Sequence, residues 1–221
     1  MKDTMAQAGI IPVLIFPETA HAAPTAEALI AGGLPVLEIT LRTDAAWQAL
    51  ETIVAAQPQA VIGVGTVLEV AQLSRAKDLG ALFAVSPGFD PALAEAAAQL
   101  DLFYLPGVAT ASEIMSARRA GFRFLKFFPA EAAGGQAMLK NFASPFSDIQ
   151  FCPTGGIGAA NCAQYLALSN VVCVGGSWVA TVEDMATENW SGIEEKARAA
   201  RRIAEQSVTP PPPPSLSAQR K

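Results

Sequence analysis

Val36-Leu37-Glu38-Ile39-Thr40-Leu41, then the helix formers of Ala45–Ala56, then Val61-Ile62-Gly63-Val64: this stretch decides the fold. Two runs of strand-forming residues flank an Ala-rich segment suited to a helix. Parallel strands need a crossover of a dozen or more residues, usually helical, and the chain supplies one here. The same unit recurs on both sides at fairly regular intervals. Strands are expected at Ile10–Phe16, Val36–Leu41, Val61–Val64, Leu82–Val85, Phe103–Leu105, Phe124–Phe128, Ile149–Cys152 and Val171–Val174. Helices are expected at Ala20–Ala31, Ala45–Ala56, Val70–Leu79, Pro91–Leu100, Ser112–Ala120 and Ala159–Ala167.

Eight strand-and-helix units close into a barrel as readily as they form an open doubly wound sheet. No GxGxxG turn follows the first strand, which disfavours the open sheet. The expectation is an α/β fold, a single-domain (β/α)8 TIM barrel over residues 1–208. The remainder, residues 209–221, holds five consecutive prolines (Pro210 to Pro214) and is expected to be a disordered tail.

Composition agrees. Hydrophobic residues make up 51% and charged residues 16% of the 221, enough to cover strands on both faces. The net charge of −5 and the absence of a basic patch argue against nucleic acid as a partner. No apolar run is long enough for a membrane span, and Pro12 with Asp3 spoils a signal peptide. Cys152, Cys162 and Cys173 fit neither a disulfide framework nor a zinc pattern, so they read as buried small hydrophobes in a cytoplasmic protein.

Chemistry is expected at the C-terminal ends of the strands. In Arg123-Phe124-Leu125-Lys126-Phe127-Phe128-Pro129 one lysine stands inside an aromatic strand, where an unpaired ammonium costs several kcal/mol or else deprotonates. The other five lysines sit in helical or terminal segments. A lysine kept neutral by desolvation can attack a ketone and form a Schiff base. The alternative is an edge-strand lysine with its head in water.

Strand periodicity puts Glu38, Thr40 and Arg42 on one face, successive members about 6.5 Å apart. A carboxylate there can move protons, and an arginine can hold a substrate carboxylate. Gly155-Gly156 and Gly175-Gly176-Ser177 close the seventh and eighth strands, where barrels often bind phosphate through backbone N–H groups. Thr66 and the Ser86-Pro87-Gly88 turn end the third and fourth strands. The lone His21 has no acidic or cysteine cluster around it in the sequence, which argues against a metal-dependent aldolase or a Ser–His hydrolase.

Val36-Leu37-Glu38-Ile39-Thr40-Leu41-Arg42-Thr43, Gly63-Val64-Gly65-Thr66, Ser86-Pro87-Gly88, Phe124 to Glu131, Cys152-Pro153-Thr154-Gly155-Gly156 and Gly175-Gly176-Ser177-Trp178 together resemble the motifs of the 2-keto-3-deoxy-6-phosphogluconate (KDPG) and 2-keto-4-hydroxyglutarate (KHG) aldolase family, in family order. The resemblance implies a trimeric class I aldolase of the Entner–Doudoroff pathway. Its substrate would be a phosphorylated keto acid and one product pyruvate, with no metal or organic cofactor. Carried over by position, Lys126 matches the Schiff-base lysine and Glu38 the proton-transfer carboxylate. Arg42 and Thr66 match residues around the pyruvate carboxylate, Pro87 and Phe128 pocket walls, and Thr154 a substrate-hydroxyl contact. Gly155, Gly156, Gly176 and Ser177 match the phosphate site.

Retention of Leu41-Arg42-Thr43 and Thr154 favours the gluconate-derived substrate over its galactonate epimer. Two departures are Val64, where the family usually has alanine, and a first strand, Val13-Leu14-Ile15, that lacks the arginine some members place there. Two rival readings remain: a phosphosugar isomerase or epimerase, and a non-catalytic phosphosugar-binding barrel.

Overall fold

Strands β1 (Ile10–Leu14) and β2 (Val36–Thr40) are buried at every position, as strands covered on both faces must be. They belong to a computed structural model that describes residues 1–207. The stretch expected to be a proline-rich tail lies outside the described residues.

Along the chain, α1 (Lys2–Ala8) precedes β1, and a short 3-10 turn (Thr19–His21) leads into α2 (Ala22–Ala31). After β2 come α3 (Ala46–Ala56), β3 (Val61–Gly65), α4 (Val70–Asp78), β4 (Phe83–Val85) and α5 (Pro91–Gln99). Then follow β5 (Phe103–Leu105), β6 (Gly107–Val108), α6 (Ala111–Arg119), β7 (Phe124–Phe127) and α7 (Gly135–Ala143). The last elements are β8 (Gln150–Pro153), α8 (Cys162–Leu166), β9 (Val174–Gly176), α9 (Val182–Ala186) and α10 (Trp190–Ser207). Local chemistry sets several helix starts. Asp90 accepts the Ala92 N–H at 2.7 Å ahead of Pro91, and Thr110 with Glu113 forms a reciprocal cap on α6.

All the strand pairs in the two sheets are parallel. They form a curled six-stranded sheet in the order β5-β4-β3-β2-β1-β9 and a three-stranded sheet in the order β6-β7-β8. This is coarser than the expected (β/α)8 barrel: the ladder is interrupted where Pro106, which has no N–H to donate, separates β5 from β6. Between β8 and the β9 region only two isolated bridges form, Phe151 to Val171 and Thr154 to Gly175.

Side chains alternate between two cores. Leu37, Ile39, Leu125 and Phe127 face the helices and pack with Leu29, Leu50 and Ile53. Val36 and Phe124 face the other way and join Ile11, Phe83, Leu105 and Cys152 in a second cluster contributed by both sheets. Met5 and Ala8 of α1 belong to that cluster as well. Cys152, Cys162 and Cys173 are all free and buried, as expected. No described helix is long and apolar enough to cross a membrane.

Helix α10 closes the outer layer with small residues. Ala197, Ala200 and Ala204 are buried, and a Cβ added at Gly32 would collide with Ala197. Its approach is fixed by Asp184, 6% exposed, which takes hydrogen bonds from Lys196 at 2.7 Å, from Thr181, and from Asn189 at 3.1 Å. Burial pushes the Asp184 carboxyl up, but these donors outweigh it and bring it down to about 2. A folded value below the unfolded one gives stability that is present above the unfolded value and lost as pH falls through the folded one. The gap corresponds to about 2 kcal/mol at most, because Lys196 is partly exposed and water screens it. Asp184→Asn is therefore expected to cost up to about 2 kcal/mol at pH 7 in urea unfolding, with the deficit shrinking between pH 4 and about pH 2.

Candidate active site

Lys126 on β7 and Glu38 on β2 share the parity of Phe124 and Val36, so both enter the space between the sheets one layer further along their strands. There Lys126 Nζ lies 3.2 Å from Glu38 Oε1. The two residues are 3% and 4% exposed. The burial expected for the lysine is present, but the amine is not alone: a carboxylate 88 positions away in sequence is within direct proton-transfer distance. The Phe128 ring lies beside it, its centroid 5.3 Å from Nζ.

Glu38 has room because a glycine, Gly65, lies against its carboxylate. Its register partner on β3 is Gly63, and a Cβ at Gly65 would overlap its carboxylate. Thr40, expected on the same polar face, turns instead to structure: its hydroxyl donates to Leu14 O at 2.8 Å and the residue is fully buried.

Above the pair opens a cavity of about 110 Å³. Arg42, Lys126, Phe128 and Thr154 line it, as do Gly155, Gly156, Gly176 and Ser177. Three other expected site residues stand outside the lining. Glu38 lies behind Lys126. Thr66 reaches the cavity through Arg42, whose Nε donates to Thr66 Oγ1 at 2.9 Å. Pro87 packs against the backbone of β6, where a Cβ on Gly107 would strike its carbonyl.

The two glycine pairs differ. Gly155 and Gly156 have φ of 101° and 75°, a left-handed turn that favours glycine. Gly175 and Gly176, expected to close a strand over Val171–Val174, lie within β9 and pair with Ile11 and Pro12 of β1. They are small for packing reasons: Thr154 occupies the space of a Gly175 Cβ, and the Trp178 ring that of a Gly176 Cβ. Thr154 Oγ1, buried at the cavity wall, has no hydrogen-bond partner among the described residues.

The family described as KDPG and KHG aldolase matches residues 1–196. The chain belongs to this family. It is 44% identical over 199 residues to the 2-dehydro-3-deoxy-phosphogluconate aldolase of Pseudoalteromonas atlantica, covering 90% of this chain and 93% of that protein. A crystal structure of the KDPG aldolase from Legionella pneumophila, with pyruvate captured as a covalent carbinolamine intermediate, superposes with a TM-score of 0.87 at 44% identity, covering 90% of this chain and 96% of that one. The KDPG aldolase of Zymomonas mobilis with 3-phosphoglycerate gives 0.85 at 41% identity, over 94% and 98%.

Sequence reading of this KDPG and KHG aldolase family member missed three cavity walls: Val13, Ile15 and Ile157. The first two alternate along the end of β1, a signal that parity alone carries. In this aldolase family member the Gly65 contact also yields a prediction. Gly65→Ala is expected to push the Glu38 carboxylate off Lys126 and to lower kcat by up to about 10²-fold, since misplacement by about 1 Å costs that much. Steady-state kinetics on the variant checks this.

Proposed function

We propose that this chain is a class I aldolase that cleaves KDPG to pyruvate and glyceraldehyde 3-phosphate through a Schiff base on Lys126. The buried Lys126–Glu38 pair, 3.2 Å apart at a cavity floor, is the observation that carries the reading. The carbinolamine in the Legionella relative supports covalent chemistry of this kind.

In this reading Glu38 takes the proton from the Lys126 amine, and the free amine attacks the C2 ketone. Glu38 then returns protons as the carbinolamine loses water to give an iminium. The iminium draws electrons from the C3–C4 bond once the C4 hydroxyl proton leaves, and Glu38, through a water, accepts that proton. Glyceraldehyde 3-phosphate departs, the enamine takes a proton at C3, and hydrolysis frees pyruvate. Arg42, held by Thr66, binds the substrate carboxylate. Thr154 donates to a substrate hydroxyl, and Phe128 and Pro87 shape the walls. The phosphate is received by the backbone at Gly155, Gly156 and Gly176 and by Ser177, because Val13 and Ile15 give β1 no cation there.

The two sheets are, in this reading, arcs of one (β/α)8 barrel. Support comes from the chain's continuity across Pro106, the two bridges near β9, and the inner cluster drawn from both sheets. A homotrimer is carried from the family resemblance alone, and a cytoplasmic setting rests on the cysteine pattern of the sequence.

The test is pyruvate release, coupled to lactate dehydrogenase, with KDPG, its galactonate epimer and KHG side by side. KDPG is expected to be cleaved with the highest kcat/KM. Release from none of the three would favour the isomerase or binding-protein reading, and a preference for the epimer would reassign the substrate.

A further inference from the structure

Behind the Gly155–Gly158 turn lies a polar cluster that the mechanism above does not use: Glu131, Asn161 and Tyr165. Glu131 reaches the turn in three ways. Its backbone N–H donates to Gly155 O at 3.1 Å. Its stem lies against the Cα of Gly156, where an added Cβ would collide with it. Its Oε1 accepts from Asn161 Nδ2 at 3.4 Å, and the same Nδ2 donates to Gly156 O at 3.1 Å. Asn161 also accepts the Gly158 N–H at 2.8 Å. The fully buried Tyr165 donates its hydroxyl to Glu131 Oε1. Burial, and then that hydrogen bond, push the Tyr165 hydroxyl well above its ordinary value, so it remains a donor at working pH.

The carbonyls of Gly155 and Gly156 are thus held from behind, while the Gly156 N–H has no protein acceptor among the described residues. Glu131 itself does not line the cavity. We infer that Glu131 is a positioning residue for the substrate's distal phosphate: pinned by Tyr165 and Asn161, it fixes the turn so that the Gly156 N–H faces the anion. The inference rests on reading this turn as the phosphate site. It concerns recognition of the phosphorylated end and leaves the bond-making end untouched.

Because both donors use the single atom Oε1, a glutamine oxygen can accept both bonds and an alanine can accept neither. Glu131→Ala is expected to raise KM for KDPG by about tenfold or more, with kcat little changed. The pyruvate concentration that gives half-maximal borohydride inactivation is expected to stay at the wild-type value, since pyruvate has no phosphate. Glu131→Gln is expected to behave nearly as wild type, and Tyr165→Phe, which keeps the packing, to raise KM part of the way. An unchanged KM in Glu131→Ala, a parallel loss of pyruvate binding, or a glutamine variant as impaired as alanine would each overturn the assignment. Failure of the underlying site reading shows separately, as an absence of competition between inorganic phosphate and KDPG in the unmodified protein.

Discussion

Lys126→Met is expected to lower KDPG cleavage by about 10⁴- to 10⁶-fold, the scale of loss when a covalent nucleophile is removed. Among the described residues no other lysine lines the cavity, so none of them offers a second amine for the condensation. Methionine matches lysine in length and suits the space between Phe128 and the inner core, so the fold is expected to persist. Stability does not escape unchanged. The variant leaves Glu38 as a lone carboxylate at a site 4% exposed, and breaking a buried pair costs about 3–5 kcal/mol. The double variant Lys126→Met with Glu38→Gln removes that orphaned charge and is expected to recover part of the stability without any activity. Urea unfolding of both variants separates the two effects, and a single variant that keeps most of its activity would place the nucleophile elsewhere.

Glu38→Gln has the second largest expected effect, a fall in kcat of about 10²- to 10⁴-fold with KM nearly unchanged. The amide keeps the shape of the side chain beside Gly63 and Gly65 but takes no proton from Lys126. Schiff-base formation slows without being abolished, since the amine is still present. Rapid mixing with pyruvate is expected to show adduct accumulating slowly at the same lysine. A variant with wild-type adduct kinetics and wild-type kcat would remove Glu38 from the chemistry.

Strands β1 to β5, β7 and β8 were legible because burial on both faces leaves long apolar runs, as in Val36–Thr40 and Phe124–Phe127, whereas the two-residue β6 was not expected. Helices α2 to α6 were legible for a similar reason, with good helix formers between strands and caps such as Asp90 and Thr110. What failed to show has physical causes. The buried stripe of α10 is alanine apart from Ile193 and carries little apolar contrast, and α1 is one short segment whose two buried residues are too few to set a period. Strand β9 starts three residues later than the Val171–Val174 run suggested, because its glycines are demanded by Thr154 and Trp178 and do not mark a turn.

At the site, residue type and strand parity pointed to Lys126, Glu38 and Arg42. The direct contact between Lys126 and Glu38 depends on how strands far apart in sequence face one another, and no local pattern encodes that. Glu131 closes one of the quoted motifs but was given no role, for the opposite reason: it is exposed, and its contacts show only in the structure, through the buried Tyr165 behind it.

The proposed chemistry depends on condensation of the Lys126 amine with a keto acid. Treating the protein with pyruvate and borohydride, digesting it, and mapping the reduced adduct by mass spectrometry tests this directly. One pyruvate-derived label per chain is expected, on Lys126. A label on any other residue, or none at saturating pyruvate, would contradict it.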